Sequence, residues 1–193
     1  MRGPVTGAQL GAQPPAISPT RRPVFFLISL AVTVPVLARL QELNGPLQNG
    51  IAAQGVVSLE LARTLERQSE VLGSWTEPDL LRLAFSIGLD FLCAVAFIAT
   101  TTMACVWLAE KSGSGAAFRA KCGRALVYCL LTLGIFWTLQ NVLLAEVVFG
   151  YRTAITAEVI YWCALWKFTV MGVSTAYLLL SGGILLVTGF SRR

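Results

Sequence analysis

The sequence predicts an all-α integral membrane protein: a four-helix bundle with an additional extracytoplasmic amphipathic helix between spans 1 and 2. Three observations carry that reading. Of the 193 residues, 55% are hydrophobic and 13% charged, with mean hydropathy +0.69, whereas an ordinary soluble domain carries about 25% charged residues. Four apolar runs, over approximately 23–41, 80–109, 125–149 and 157–189, approach or exceed the roughly 20 residues needed to cross a hydrocarbon core about 30 Å thick. One sizeable polar stretch separates the first run from the second. Because the bilayer offers no water to backbone N–H and C=O groups, apolar runs of this length satisfy them internally as helices.

Ahead of the bundle, residues 1–22, "MRGPVTGAQLGAQPPAISPTRR", are rich in Gly, Pro, Ser and Ala and lack a periodic apolar face. They are expected to form a flexible tail. The run after them slightly exceeds a signal-peptide core of about 7–15 residues, and no A-x-A cleavage site precedes a polar start. It is therefore read as a retained span, opening a membrane domain over 23–190. Pro35 removes a backbone donor near its far end, where a kink or early termination is expected.

The polar stretch opens with "NGPLQNG", a turn by its Asn-Gly and Gly-Pro pairs. A helix is expected over about 54–72, with Val57, Leu61, Leu65 and Leu72 on one stripe. Glu60, Arg63, Glu66, Arg67 and Glu70 are spaced for pairing at i,i+3. Gly73 and Ser74 suit a helix stop, and Trp75 suits the interfacial aromatic belt. Such a helix either lies over the mouth of the bundle or simply connects two spans with a solvated face.

Basic residues orient the chain. With four spans, Arg2, Arg21, Arg22, Lys111, Arg119, Lys121, Arg124, Arg192 and Arg193 share one side. On the other, Glu42, Glu60, Glu66, Glu70, Glu77 and Asp79 outnumber Arg63 and Arg67, and a short turn carries Arg152. The positive-inside rule puts both termini in the cytoplasm, with 191–193 as a short tail. The net charge of +5 is gathered where anionic headgroups lie, so lipid is the expected partner and nucleic acid is not.

Polar residues inside the spans are the most informative feature. Asp90 in the second span, Gln140 and Asn141 in the third and Lys167 in the fourth fall at similar depth in the outer half of the membrane. An isolated charge there costs on the order of a few kcal/mol, and a partner or water relieves it. The expected arrangement has Lys167 facing Asp90, with Gln140 or Asn141 completing the hydrogen bonds; Glu146, a turn from the outer surface, and Glu60 are possible outer partners. Such a cluster is either a device that fixes helix register or a functional site. The aromatics of "YWCALWKF" around Lys167 belong to the outer girdle or wall a pocket beside the lysine. "SGGILLVTG" and Gly172 with Ala176 offer small-residue surfaces for close helix contact.

Several chemistries drop out. The chain has no histidine, which removes bis-His haem ligation, the usual zinc sites and His-dependent acid–base catalysis. Cys93, Cys105, Cys122, Cys129 and Cys163 are odd in number and lack a C-x-x-C pair, and they read as small packing residues. "KSGSGAAFRAK" reads as a flexible cytoplasmic connector rather than a phosphate-binding loop. No cofactor and no metal are expected.

The order "LELA" (Leu59 to Ala62), Trp75, "GLDF" (Gly88 to Phe91), "QN" (Gln140, Asn141) and "WKF" (Trp166 to Phe168) resembles a group of small four-span bacterial membrane proteins. Over residues 23–190 the resemblance implies the architecture, a bacterial inner membrane and a cluster of Glu60, Asp90, Asn141 and Lys167. It implies no particular reaction. Gln140 stands where the group carries an acidic residue, which speaks against a proton-handling role at that position.

Two functional classes follow. One is an accessory or scaffold subunit that docks other membrane protein subunits, favoured by small size and the lack of nucleotide, redox and histidine chemistry. The other is a lipid or small-molecule binding or transport protein, whose outer cluster receives a polar head. Catalysis is the weakest option, because Asp90, Glu60, Glu146 and Lys167 are the only candidate acid–base groups.

Overall fold

The computed structural model describes residues 22–111 and 117–190. The expected tails over 1–22, Arg22 excepted, and 191–193 lie outside the described residues, as does 112–116 of the connector. Six α-helices follow in order: α1 (Arg22–Asn44), α2 (Val56–Glu60), α3 (Leu65–Gly73), α4 (Glu77–Lys111), α5 (Ala117–Val148) and α6 (Ala154–Phe190), with a 3-10 turn over Gly45–Leu47 after α1. Among the described residues, four helices are long and apolar enough to cross a membrane: Pro23–Leu47, Glu77–Lys111, Ala117–Val148 and Ala154–Leu185. The chain is a multi-pass, all-α membrane protein.

α4 and α6 begin before their apolar runs do, because polar residues close their first turns. The Thr76 N–H and hydroxyl both donate to Asp79 Oδ2 (3.0 and 2.6 Å) and fix the start of α4. Thr153 Oγ1 accepts from the Thr156 N–H at 3.0 Å ahead of α6. Ala117–Lys121, expected within the connector, is already helical in α5. Pro35 neither ends α1 nor is followed by a break, and the helix continues to Asn44; a single missing bond is tolerated where neighbouring helices support the backbone.

Two apolar clusters set the up-down-up-down order. At one end Leu47, Leu59, Leu72 and Trp75 pack with the start of α4 (Leu83, Ile87), the end of α5 (Leu144, Val147) and the start of α6 (Ile160). A second cluster follows at mid-span, with Val36, Cys93, Leu130, Leu133, Trp137 and Val170. α4 is the hub, packed along both α1 and α5 and touching α6, whereas α1 and α6 do not pack along one another. At the far end Gly123 of α5 lies where an added Cβ would meet the Tyr177 hydroxyl of α6 and, at 3.2 Å, the Cys105 carbonyl of α4. That is a tight small-residue contact between helices, and Gly134 of α5, where a Cβ would lie 3.3 Å from Ile98 Cδ1 of α4, is a second. Gly172, Gly182 and Gly183 of α6, expected to serve this way, have nothing within 4 Å of such a Cβ.

Residues 45–76 cap one end of the bundle. The helix expected over 54–72 is two helices: the first ends at Glu60 with Leu61 as its C-cap, and extended Thr64 (φ −112°, ψ 153°) caps the second, its hydroxyl accepting from the Arg67 N–H. Val57, Leu61 and Leu65 are therefore only half-buried, while Leu59, Ala62, Val71 and Leu72 face the core. Trp75, expected in the interfacial belt, is buried at 6% exposure and donates to the Leu47 carbonyl at 2.8 Å, since the chain turns there beneath α3. Asn44 pins the cap to α1: its Oδ1 accepts from the Val56 N–H at 2.8 Å and its Nδ2 donates to the Gln54 carbonyl at 3.2 Å.

Candidate functional site

Lys167 lies on the stripe of α6 formed by Ala157, Ile160, Ala164, Val170 and Ser174, all buried and spaced three or four residues apart. Packing of the small residues on that stripe draws the lysine into the bundle. Its partner is Glu60, the last residue of α2: Nζ donates to Oε1 at 2.7 Å and Oε2 at 2.8 Å, and both residues are 4% exposed. The expected Lys167–Asp90 pair is not formed. α2 lowers Glu60 onto the bundle from the capped end, and a carboxylate offering both oxygens to one ammonium meets the requirement for a buried charge. Glu60 is thereby withheld from its neighbours, so Arg63 instead pairs with Glu158 of α6 at 3.0 Å and stacks 5.7 Å from the Tyr161 and Trp162 rings.

Asp90 takes a different partner. Its Oδ2 accepts from the Trp137 indole N–H at 2.5 Å, across α4 and α5. Trp137 was not among the expected site residues, although it lies one helical turn before Asn141 and so shares its face. The Trp137 ring also serves the lysine, whose Nζ lies 5.4 Å from its centroid and 5.0 Å from that of Phe168.

Gln140 and Asn141 do not complete the hydrogen bonding of the ion pair. Both are buried, and neither amide has a hydrogen-bond partner among the described residues. Asn141 nevertheless lines the same cavity as Glu60, Asp90, Trp137 and Lys167; Gln140, beside it in sequence, is not part of that lining. Glu146 is exposed and stands apart from the cluster.

The cavity holds about 210 Å³. α1 contributes Leu37, Leu40, Gln41 and Asn44, and α6 contributes Phe168 and Met171 beside the lysine. It occupies the seam where α1 and α6 fail to pack, roofed by Val56, Val57 and Glu60 of α2. Of the aromatics around Lys167, Phe168 walls this cavity, whereas Trp162 and Trp166 turn to a separate groove between α5 and α6. Cys93 and Cys163 are both free and buried.

Chemically, the arrangement is a polar floor inside an apolar wall. It offers two carboxylates, one ammonium, one buried unpartnered amide (Asn141) and two ring faces. Comparison of the chain with protein-family models, with curated proteins and with solved structures returned no match.

Proposed function

We propose that this chain is a ligand-binding membrane protein that receives the polar head of a small membrane-resident molecule in the cavity beneath α2. The observation that carries the reading is Asn141. Its amide is 1% exposed, has no hydrogen-bond partner among the described residues and lines the cavity that Asp90, Glu60 and Lys167 share. Leaving a buried polar group unpaired costs about 1–3 kcal/mol, and a bound polar head would remove that cost. A cluster serving only to fix helix register has no need of the amide.

The charge asymmetry supports an orientation with both termini in the cytoplasm and the cap outside, and the resemblance noted above supports a bacterial inner membrane. Under that orientation the cavity opens toward the outer leaflet. Reporter fusions at the C-terminus and within residues 45–55 test it, with cytoplasmic signal expected only from the first.

Native mass spectrometry of protein released gently from its own membrane tests the binding role. A discrete small-molecule adduct on the lone chain, lost on Asp90→Asn with Asn141→Leu, is the expected result. A stoichiometric protein partner with no such adduct would make the chain an accessory subunit and its cluster an internal brace.

A further inference from the structure

The cavity has a sign. Glu60 and Lys167 neutralise one another at 2.7 Å, which leaves the Asp90 carboxylate as its excess charge. Among the described residues Asp90 accepts a hydrogen bond only from the Trp137 indole, whereas an ionised carboxylate offers about four lone-pair directions. Asn141 adds an amide whose oxygen has no donor and whose nitrogen has no acceptor. Both groups offer acceptor oxygens and one is anionic, so a cation that carries N–H donors complements them, and an oxygen on the same head would take the free Asn141 N–H. The wall already suits such a group, since Trp137 and Phe168 present their rings to the Lys167 ammonium at 5.4 and 5.0 Å.

Size and surroundings set the rest of the ligand. At about 210 Å³ the cavity is smaller than the roughly 300–1,000 Å³ that encloses a whole drug-sized molecule. It holds a head and not a tail. Leu37, Leu40 and Met171 line the side where α1 and α6 part and make it mostly apolar, with Gln41 of α1 beside them.

We propose that the cavity binds the primary ammonium head of an amphiphile, with Asp90 as counter-ion, Asn141 Oδ1 as a hydrogen-bond acceptor, and the tail leaving between α1 and α6. This rests on the binding role proposed above and names its ligand class. Lys167 sets the selectivity: it occupies Glu60, so the site keeps one net negative charge and disfavours anionic heads.

The test uses the full-length protein in phosphatidylcholine nanodiscs, with decylammonium, decyltrimethylammonium and decanoate as probes and empty discs as the partition control. Thermal unfolding midpoints and native mass spectra are read for each. Decylammonium is expected to give a saturable one-to-one adduct and a raised midpoint, decyltrimethylammonium a weaker effect because it lacks N–H donors, and decanoate none. Asp90→Asn should weaken decylammonium binding roughly thirtyfold or more, as loss of a buried charge partner does, and Asn141→Leu should remove the preference for decylammonium over decyltrimethylammonium. The probe comparison on the unaltered chain stands even if a variant fails to fold. Adding phosphatidylethanolamine competes with decylammonium if the natural head belongs to a bilayer lipid, and leaves its binding unchanged if it belongs to a free amine. Saturable binding of decanoate equal to that of decylammonium overturns the cationic class and leaves the pocket standing. Absence of any saturable adduct, both from these probes and from the native membrane, overturns both.

Discussion

Glu60 and Lys167, 107 residues apart in the chain, form a buried ion pair in which one ammonium serves both carboxylate oxygens, at 2.7 and 2.8 Å. It ties a five-residue helix of the cap to the last span, and the cavity lies directly beneath it.

Breaking that pair from one side strands a charge. Glu60→Gln or Lys167→Met alone is expected to lower stability by about 3–5 kcal/mol, and the double replacement Glu60→Leu with Lys167→Met by much less than the sum. Denaturant unfolding in mild detergent micelles reads the difference. Strictly additive losses would mean that the two side chains do not depend on one another.

Trp137→Phe keeps the ring and removes the indole N–H that Asp90 accepts at 2.5 Å. A loss of about 1–3 kcal/mol is expected. Most of it should vanish when the replacement is made in an Asp90→Leu background, where no carboxylate is left to be stranded. The same unfolding curves measure it, and an equal loss in both backgrounds would assign the effect to packing alone.

At the opposite end Gly123 admits no side chain cheaply, because an added Cβ meets the Tyr177 hydroxyl and, behind it, the Cys105 carbonyl at 3.2 Å. Gly123→Ala should cost about 1–3 kcal/mol by overpacking. Pairing it with Tyr177→Phe should recover only part, since the ring carbon at 3.0 Å and the backbone carbonyl remain. Full recovery would make the hydroxyl the sole obstacle.

Gly55 holds φ +60°, ψ −126°, and a Cβ there would run into the Asn44 side chain. Gly55→Ala is therefore expected to cost about 1–3 kcal/mol through strain and, by displacing Asn44, to loosen the cap. Hydrogen exchange over residues 45–60 should accelerate while the exchange of α5 stays unchanged.

The four spans were legible because hydrophobic length in a bilayer leaves the backbone a single solution. Their ends were less so: Thr76 with Asp79, and Thr153 with Thr156, start helices from polar residues that a hydropathy window discards. In the cap a regular apolar spacing did not give one helix, since α2 stops at Glu60 and Thr64 caps a separate α3 by accepting the Arg67 N–H. Lys167 and Asp90 stood out as charges in apolar runs, but their pairing was not legible. Depth along a span orders residues in one dimension, whereas the partner is set by which faces the packing turns together. The buried stripe of α6 and the one-turn spacing of Trp137 and Asn141 on α5 carried part of that information. That Glu60 reaches Lys167 depends on where the cap folds back, which no local pattern encodes.

Lys167 belongs to the fourth span, and its counter-charge belongs to a segment made more than a hundred residues earlier. During translation, which orders segments from the N-terminus, Glu60 has no buried partner until α6 enters the bilayer. The pair therefore closes only once α6 is in place, while the other anchors of the cap, Asn44 of α1 and the apolar contacts with α4 and α5, belong to chain already made.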